Sequence, residues 1–348
     1  MYSFESINKH RYYLFGIATF WIVMFHSAGV NFASCDALSV LNTGRILEMI
    51  RRMGSCGVDI FLLLSGAGLF FSFTKDRNIR AFIKRRLIRI LPVSFIVAFV
   101  VACLVDYSDA RRFLLKITFL EYFFVKDDGL LFWFISAILL LYLLFPLFFK
   151  MIEKSKITGT AVIVLVSVVI TGCLYIINPE LFSRFAMLTA RVPAFIAGII
   201  IGTVIQKEQK ITKAGSLIMC LIGLVYFICL IALFFSLPGI GELIKFYLYL
   251  PLSVFTVFFF TTLRNYISAP FLVSPVEYLG RHSLEVYLVH QSVYNGFYGK
   301  ISVFDGHPLI YAFAAFTVSF ILAVMVKKFA GIIVDKLSKR LSVSKQKI

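Results

Sequence analysis

The chain has 348 residues, of which 60% are hydrophobic and 15% are charged, and its formal net charge is +17. Soluble domains contain about 25% charged residues, so this composition excludes an ordinary soluble protein and predicts an all-α integral membrane protein. The basic residues recur in alternate polar segments instead of forming one soluble patch, so nucleic acid is not an expected partner.

Hydropathy predicts a bundle of about ten transmembrane helices in a single domain, residues 1–348. A span needs about 20 mainly apolar residues, and the connecting segments are too short for a separate soluble domain. A basic tail is predicted at about 327–348. The predicted spans are 12–31, 57–74, 87–105, 130–149, 158–177, 189–205, 214–236, 246–263, 283–299 and 308–326.

The distribution of Lys and Arg predicts the orientation. These residues concentrate before the first span, after each even-numbered span and in the C-terminal tail. Because cytoplasmic segments carry the excess of basic residues, we predict that both termini are cytoplasmic. The chain is expected to be a multi-pass protein of a cell membrane, with the lipid bilayer as a partner, and its oligomeric state is left open.

The six cysteines do not indicate a metal site, because they form no CxxC pair or other metal-ligand spacing. A disulfide between Cys35 and Cys56, on the predicted outer side, is left open. The N-terminal apolar run also resembles a signal peptide. Since His26 interrupts that run and nine further apolar segments follow, we predict an uncleaved first span.

A histidine lies deep in the first predicted span, RYYLFGIATFWIVMFHS. At 1.5 Å per residue, His26 lies about 20 Å above the cytoplasmic start of the helix. The second span runs the other way and begins GVDIFLLLSG, so Asp59 enters the membrane within about two turns of that depth. A carboxylate that accepts one imidazole N–H leaves the other ring nitrogen as a base for a hydroxyl. Alternatively, the two residues form a structural polar pair.

Three arginines begin the third span in the segment FIKRRLIRILP. Arg85 and Arg89 share one helix face, with Arg86 beside them. Arginine matches phosphate oxygens with two hydrogen bonds, so the segment is a candidate site for a phosphorylated cytosolic ligand. The alternative is that these residues only set orientation and contact anionic lipid headgroups. The position of Arg89, one turn into the apolar run, favours the ligand.

Five blocks follow one another along the chain: FGIATFWIVMFHS, GVDIFLLLSGAGLFFSF, FIKRRLIRILP, LFWFISAILLLYLLFPLF and YLGRHSLEVYLVHQSV. Together, and with RVPAFIAGIIIG as a sixth, looser match, they resemble the integral-membrane acyltransferase family 3. The resemblance implies an O-acetyltransferase that takes an acyl group, by default acetyl from acetyl-CoA, to a hydroxyl of an extracytoplasmic carbohydrate or lipid-linked glycan. It also implies a bacterial cytoplasmic membrane.

The resemblance assigns roles to individual residues. It implies that His26 is the essential histidine of the first span, and that Arg86 and Arg89 are the paired arginines of the third. Family members usually carry arginine eleven positions before the histidine, where this chain has Phe15. Arg11 lies one helical turn below Phe15 and is predicted to project towards the same place.

Three further polar or aromatic residues are candidates for substrate binding. His290 lies in the polar ninth span and matches a family histidine, although a packing role is equally compatible with its position. Trp133 lies at the predicted outer interface, where it can stack on a sugar ring or belong to an aromatic belt. Arg191 precedes a proline at the outer end of the sixth span, where it can hold an acceptor carboxylate or phosphate, or snorkel to the interface.

These predictions combine into one mechanism with two rivals. Acyl-CoA binds from the cytoplasm through Arg86 and Arg89, with help from Arg85 and Arg11. His26, oriented by Asp59, then acts as general base on the acceptor hydroxyl or first carries the acyl group itself. The rivals are a transporter or flippase, in which buried His and Asp form a relay, and a non-catalytic accessory subunit of glycan assembly, which the Phe15 departure favours.

Overall fold

The computed structural model describes residues 2–27, 43–106, 108–125, 131–237, 241–267, 269–297 and 308–345. Nearly all of these residues are helical, which confirms the predicted all-α class. The β-structure in these ranges is one antiparallel pair of two-residue strands, in which Tyr2 of β1 (Tyr2–Ser3) lies opposite Ile211 of β2 (Lys210–Ile211).

The described helices are numbered in chain order. They are α1 (Glu5–Lys9), α2 (Arg11–His26), α3 (Thr43–Arg52), α4 (Cys56–Lys75), α5 (Ile79–Val105), α6 (Ala110–Ile117), α7 (Glu121–Phe124), α8 (Trp133–Lys154), α9 (Lys156–Ile177), α10 (Pro179–Thr189), α11 (Val192–Gln206), α12 (Lys213–Ser236), α13 (Glu242–Tyr266), α14 (Pro270–Arg281), α15 (Ser283–Phe297) and α16 (Pro308–Lys345). A short 3-10 turn, Met53–Ser55, joins α3 to α4.

Polar side chains begin several helices. The Asn78 side chain accepts a hydrogen bond from the N–H of Ala81 at the start of α5, with a distance of 3.0 Å. Asn178 accepts from the N–H of Leu181 at the same distance, and Pro179 follows it as the first residue of α10. A side-chain oxygen at this position satisfies an N–H that has no partner inside the helix, and proline is tolerated in the first turn. Local sequence therefore determines where these helices start.

Eight helices in the described ranges are long and apolar enough to cross a membrane. Among the eight, the stretch Pro179–Gln206 joins α10 to the 15-residue α11. Two other predicted spans correspond to shorter helices that are not among the eight, because α2 has 16 residues and α15 has 15. Helices of that length rise roughly 24 Å and 22 Å, less than the roughly 30 Å of a bilayer core. At the other end of the chain, α16 continues as helix through most of the predicted tail. The count of ten spans and the cytoplasmic termini stay predictions.

The chain divides into two compact units, and the first contains Met1–Arg77 and Phe145–Arg281. In this unit α4 packs closely along α11. A Cβ at Gly66 would overlap the carbonyl oxygen of Phe195, and a Cβ at Gly198 would meet the backbone of α4 at Leu63. Small residues let helix backbones approach in membranes. Gly66 and Gly198 therefore mark a site of close packing between α4 and α11.

A second contact in the first unit places α2 against α14, and α2 also packs on α4. The carboxyl-terminal half of α2 and the start of α4 border a buried apolar cluster that includes residues of α12 and α13. Its buried members are Met53, Cys56, Leu230, Phe234, Tyr249 and Leu252. This packing holds the ends of α2 and α4 that carry the histidine and the aspartate.

The second unit contains Asn78–Leu144 and His282–Ile348, and in it α15 and α16 pack on each other and on α5. A buried lysine, Lys116 of α6, pairs with the carboxylates of Asp106 and Glu121. Burial raises the pKa of the Glu121 carboxyl above its ordinary value, and the Lys116 charge opposes that shift. The prediction of a single domain is not tested by this division.

Candidate active site

His26 is the last residue of α2, and its side chain is half-buried. Its Nδ1 lies 3.0 Å from the carbonyl oxygen of Ile22, one turn earlier in the same helix. A carbonyl oxygen only accepts hydrogen bonds, so Nδ1 is the protonated nitrogen in this contact. In the neutral ring, Nε2 is then the nitrogen that takes up a proton, which is the tautomer that a general base requires.

Asp59 does not have the partner that the sequence predicts. Its Oδ2 lies 3.4 Å from Nε of Arg191, and both residues are buried, with 1% and 3% of their surfaces exposed. The carboxylate therefore forms an ion pair with Arg191, the residue that precedes α11. Nδ1 of His26 instead contacts the backbone carbonyl of Ile22. Asp59 reaches the histidine indirectly, because the Arg191 charge that it pairs with acts on the imidazole ring.

Arg191 is also held by the protein backbone. Its two terminal nitrogens donate to the carbonyl oxygens of Met187 and Ser55, at 3.4 and 3.3 Å, and its guanidinium lies 5.0 Å from the ring centre of Phe246. These contacts fix its orientation next to Asp59. Binding of an acceptor anion by Arg191 stays a prediction.

Sequence reasoning missed a second arginine that lies at this end of α2. Nη1 of Arg51, in α3, donates to the carbonyl oxygen of Phe25 at 2.8 Å, and its Nε and Nη2 donate to the carboxylate of Glu48. The Arg51 charge, like that of Arg191, acts on the His26 ring. The signal in the sequence is the spacing of Glu48, Arg51 and Arg52, which places three charges on one helix face.

Arg11 lies at the opposite end of α2, roughly 22 Å from His26 along the helix axis. Its guanidinium lies 5.9 Å from the ring centre of Phe15, and one nitrogen approaches Gly68 of α4. The ring of Phe15 in turn contacts Phe61 of α4, with 5.6 Å between ring centres. The Arg11 charge therefore reaches the level of Phe15, as the sequence predicts. Its part in donor binding stays a prediction.

The arginines of the third predicted span lie in the second unit, in the second and third turns of α5. Arg85 and Arg89 are exposed and one helical turn apart, whereas Arg86 is half-buried. The Arg86 guanidinium lies 5.6 Å from the ring centre of Phe82. This surface presents several guanidinium donors along about one turn of helix, a pattern suited to phosphate oxygens.

Trp133 and His290 also belong to the second unit. Trp133 begins α8, is half-buried, and has its ring centre 6.4 Å from that of Tyr122. His290 is almost fully buried, with 1% exposed, and its Nδ1 lies 2.7 Å from the carbonyl oxygen of Tyr287. These positions agree with a packing role for His290, and substrate binding by either residue stays a prediction.

Within the described ranges, no group of three or more His, Cys, Asp or Glu residues is arranged to hold a metal ion. The prediction of no metal is therefore not opposed by these residues. Cys35 lies outside the described residues, and so does the disulfide considered for it. The Cys56 thiol donates to the carbonyl oxygen of Tyr249 at 3.5 Å, inside the apolar cluster of the first unit.

Comparison with protein families finds one matching sequence model, described as an acyltransferase domain, over residues 13–328. The match covers most of the chain and includes every candidate site residue except Arg11. Comparison of the chain with curated proteins and with solved structures finds no match. The resemblance that the sequence blocks indicate is thus confirmed, and the chain belongs to the acyltransferase 3 family, as a multi-pass membrane protein.

Proposed function

We propose that this acyltransferase moves an acetyl group from acetyl-CoA to a hydroxyl of an extracytoplasmic carbohydrate or lipid-linked glycan, in a bacterial cytoplasmic membrane. The observation that carries the proposal is the contact between Nδ1 of His26 and the carbonyl of Ile22. It leaves Nε2 as the basic nitrogen of a histidine at the end of an apolar helix, within a chain of an acyltransferase family.

In the proposed reaction, the acceptor oxygen attacks the thioester carbon while Nε2 of His26 takes the hydroxyl proton. A C–O bond forms, the C–S bond breaks, and the departing CoA thiolate recovers the proton from the imidazolium. Negative charge develops on the thioester oxygen during the attack.

The donor is proposed to bind through the arginines of α5. Coenzyme A carries phosphate groups, and guanidinium groups form short, charge-assisted hydrogen bonds to phosphate oxygens. The exposed side chains of Arg85 and Arg89, with the half-buried Arg86 beside them, support this role. Arg11 carries a fourth positive charge in the first unit and is proposed to assist the donor.

The first test measures transfer of labelled acetyl from acetyl-CoA to the glycan fraction of membranes that contain the protein. His26→Gln is expected to abolish transfer. His10→Gln is the matched control, because it replaces a histidine that precedes the same helix and bonds Asn265 at 3.0 Å. Transfer that survives in His26→Gln would exclude that residue from the chemistry. No transfer and no thioester consumption by wild-type protein would favour the transporter or the accessory subunit.

A second test addresses the donor. The double substitution of Arg86 and Arg89 by Met is expected to raise KM for acetyl-CoA at least about tenfold, since each charge-assisted bond contributes roughly 1.5–3 kcal/mol. The effect should disappear with acetyl-pantetheine, which lacks the nucleotide phosphates. Lys84→Met, an exposed charge in the same segment, is the control and should leave KM unchanged. An equal loss with both donors would contradict phosphate binding by these arginines.

A further inference from the structure

Helix α3 places a carboxylate in a buried position close to the end of α2. Glu48 is only 4% exposed, and it accepts hydrogen bonds from Nε and Nη2 of Arg51 at 2.9 and 2.8 Å. Nε of Arg52 also donates to it, at 2.8 Å. The Arg51 side chain is 11% exposed, whereas that of Arg52 is 65% exposed. A buried glutamate is rare unless it is paired, and here the pairing fixes the plane of the Arg51 guanidinium.

The third nitrogen of that guanidinium, Nη1, bonds a carbonyl group in the last turn of α2. The final four carbonyl groups of a helix have no partner inside the helix. Ser27 donates to one of them, at Met24, through its N–H and its hydroxyl. Nη1 of Arg51 donates to the next, at Phe25, which directly precedes His26. A positive charge at this end also interacts favourably with the helix dipole.

Contacts other than this pair also attach α3 to α2. Nε1 of Trp21 donates to the carbonyl of Ile50 at 2.7 Å. At the turn after α3, a Cβ on Gly54 would overlap the carbonyl oxygen of Trp21, so the backbones touch. These contacts already hold α3 in place. The Glu48–Arg51 pair adds a largely buried positive charge at the carbonyl of the residue before His26, which a simple loop anchor would not need.

We propose that Glu48 and Arg51 are a positioning pair for His26. Glu48 orients the Arg51 guanidinium, which holds the turn that carries the histidine and places a positive charge beside the ring. The inference rests on the proposed function, in which His26 must meet the acceptor hydroxyl in one orientation. Small misplacements of a reacting group are costly because the reaction depends on near-ideal geometry.

Arg51→Met and Arg52→Met form a matched pair for the kinetic test, since both arginines bond Glu48 and only Arg51 reaches the Phe25 carbonyl. Arg51→Met is expected to lower kcat about tenfold, equivalent to about 1.4 kcal/mol, with KM for acetyl-CoA unchanged. Arg51→Lys, which keeps the charge and a donor, should recover part of that loss. Arg52→Met should stay within about twofold of wild type.

Three kinetic results would overturn the proposal. They are an unchanged kcat in Arg51→Met, a loss confined to KM, or an equal loss in Arg52→Met. If Arg51→Met does not fold, Glu48→Gln serves in its place, because it keeps the shape of the carboxylate while weakening its hold on Arg51. Its kcat should fall with KM for acetyl-CoA unchanged, and an unaffected kcat would contradict the proposal equally.

A measurement without substrate separates this inference from the proposed function. Diethyl pyrocarbonate acylates histidine rings, and mass spectrometry of peptides reports the rate at each histidine. Arg51→Met is expected to change the rate at His26 by at least about threefold, since both the field and the orientation of the ring change. The rate at His10 should not move. An unchanged rate at His26 would refute the positioning role, even if wild-type protein transfers no acetyl group.

Discussion

Replacing Asp59 by Asn removes the carboxylate that faces Arg191 and leaves the arginine charge in place. Arg191 is 3% exposed, so the charge cannot turn to water. The hydrogen bonds that it donates to the carbonyls of Met187 and Ser55 are 3.4 and 3.3 Å long, longer than the usual 2.9–3.0 Å or so. These two hydrogen bonds therefore compensate only weakly for the lost carboxylate. Loss of one partner of a buried ion pair costs about 3–5 kcal/mol, and we expect Asp59→Asn to lower the free energy of unfolding by that amount.

The assay is unfolding of the purified protein by titration of a denaturing detergent into mixed micelles. Arg191→Met should also destabilise the protein, and the double variant should lose less than the sum of the two, with a coupling energy of about 2 kcal/mol. Arg77→Met is the control, because it breaks an ion pair with Glu153 whose side chains are 61% and 46% exposed. That change should cost less than about 1 kcal/mol.

Two results would refute the reasoning. If Asp59→Asn cost no more than Arg77→Met, the carboxylate would not be balancing a buried charge. If the losses in Asp59→Asn and Arg191→Met simply added, the two residues would not interact, and Asp59 would be available for the contact with His26 that the sequence predicts. The unfolding measurement therefore also decides between the two partners of Asp59.

Two more predictions concern packing and pH. Gly66→Ala places a Cβ on the carbonyl oxygen of Phe195, and we expect this overpacking to lower the free energy of unfolding by about 1–3 kcal/mol. Gly172→Ala is the control: beyond the backbone of its own helix, no atom of the described residues lies within 4 Å of its new Cβ, so it should be neutral or stabilising by up to about 1 kcal/mol. Detergent unfolding compares the two variants, and equal effects would contradict close packing of α4 on α11. Burial lowers the pKa of His10, opposed by its hydrogen bond to Asn265, so the unfolded chain takes up a proton more readily and stability should fall as the pH falls below about 6.5. His10→Gln should weaken that pH dependence, and an unchanged dependence would assign it to other groups.

Much of the fold follows from hydropathy, because every backbone group in a bilayer must be satisfied within the chain and helices do this locally. The predicted first span shows where that reasoning ends. Hydropathy continues past His26, but the helix stops there because the N–H and hydroxyl of Ser27 both turn back to the carbonyl of Met24. A hydropathy average does not register a serine that competes for a backbone carbonyl.

The candidate site could also be predicted only in part from the sequence. His26 and Asp59 stand out in sequence because they are ionisable residues in apolar runs. The partner of Asp59 does not, since it depends on α4 meeting α11 across a long stretch of chain through Gly66 and Gly198. Arg51 was overlooked for a different reason. Its spacing from Glu48 was readable, but only contact with the end of α2 distinguishes it from a surface charge.

The surroundings of His26 bear on the two routes considered for acyl transfer. If the ring carried the acyl group on Nε2, the proton on Nδ1 would remain, because the carbonyl of Ile22 cannot accept it. The acyl-imidazolium would then hold a full positive charge near Arg51 and Arg191 throughout its lifetime. If the ring acts as a general base, it is charged only while the negatively charged oxygen of the intermediate lies near it. The CoA thiolate is a good leaving group, since model thiols have a pKa of about 8.5, so its departure does not need a stable proton donor. On this ground we predict direct transfer, and an acyl-enzyme trapped in the absence of acceptor would contradict the prediction.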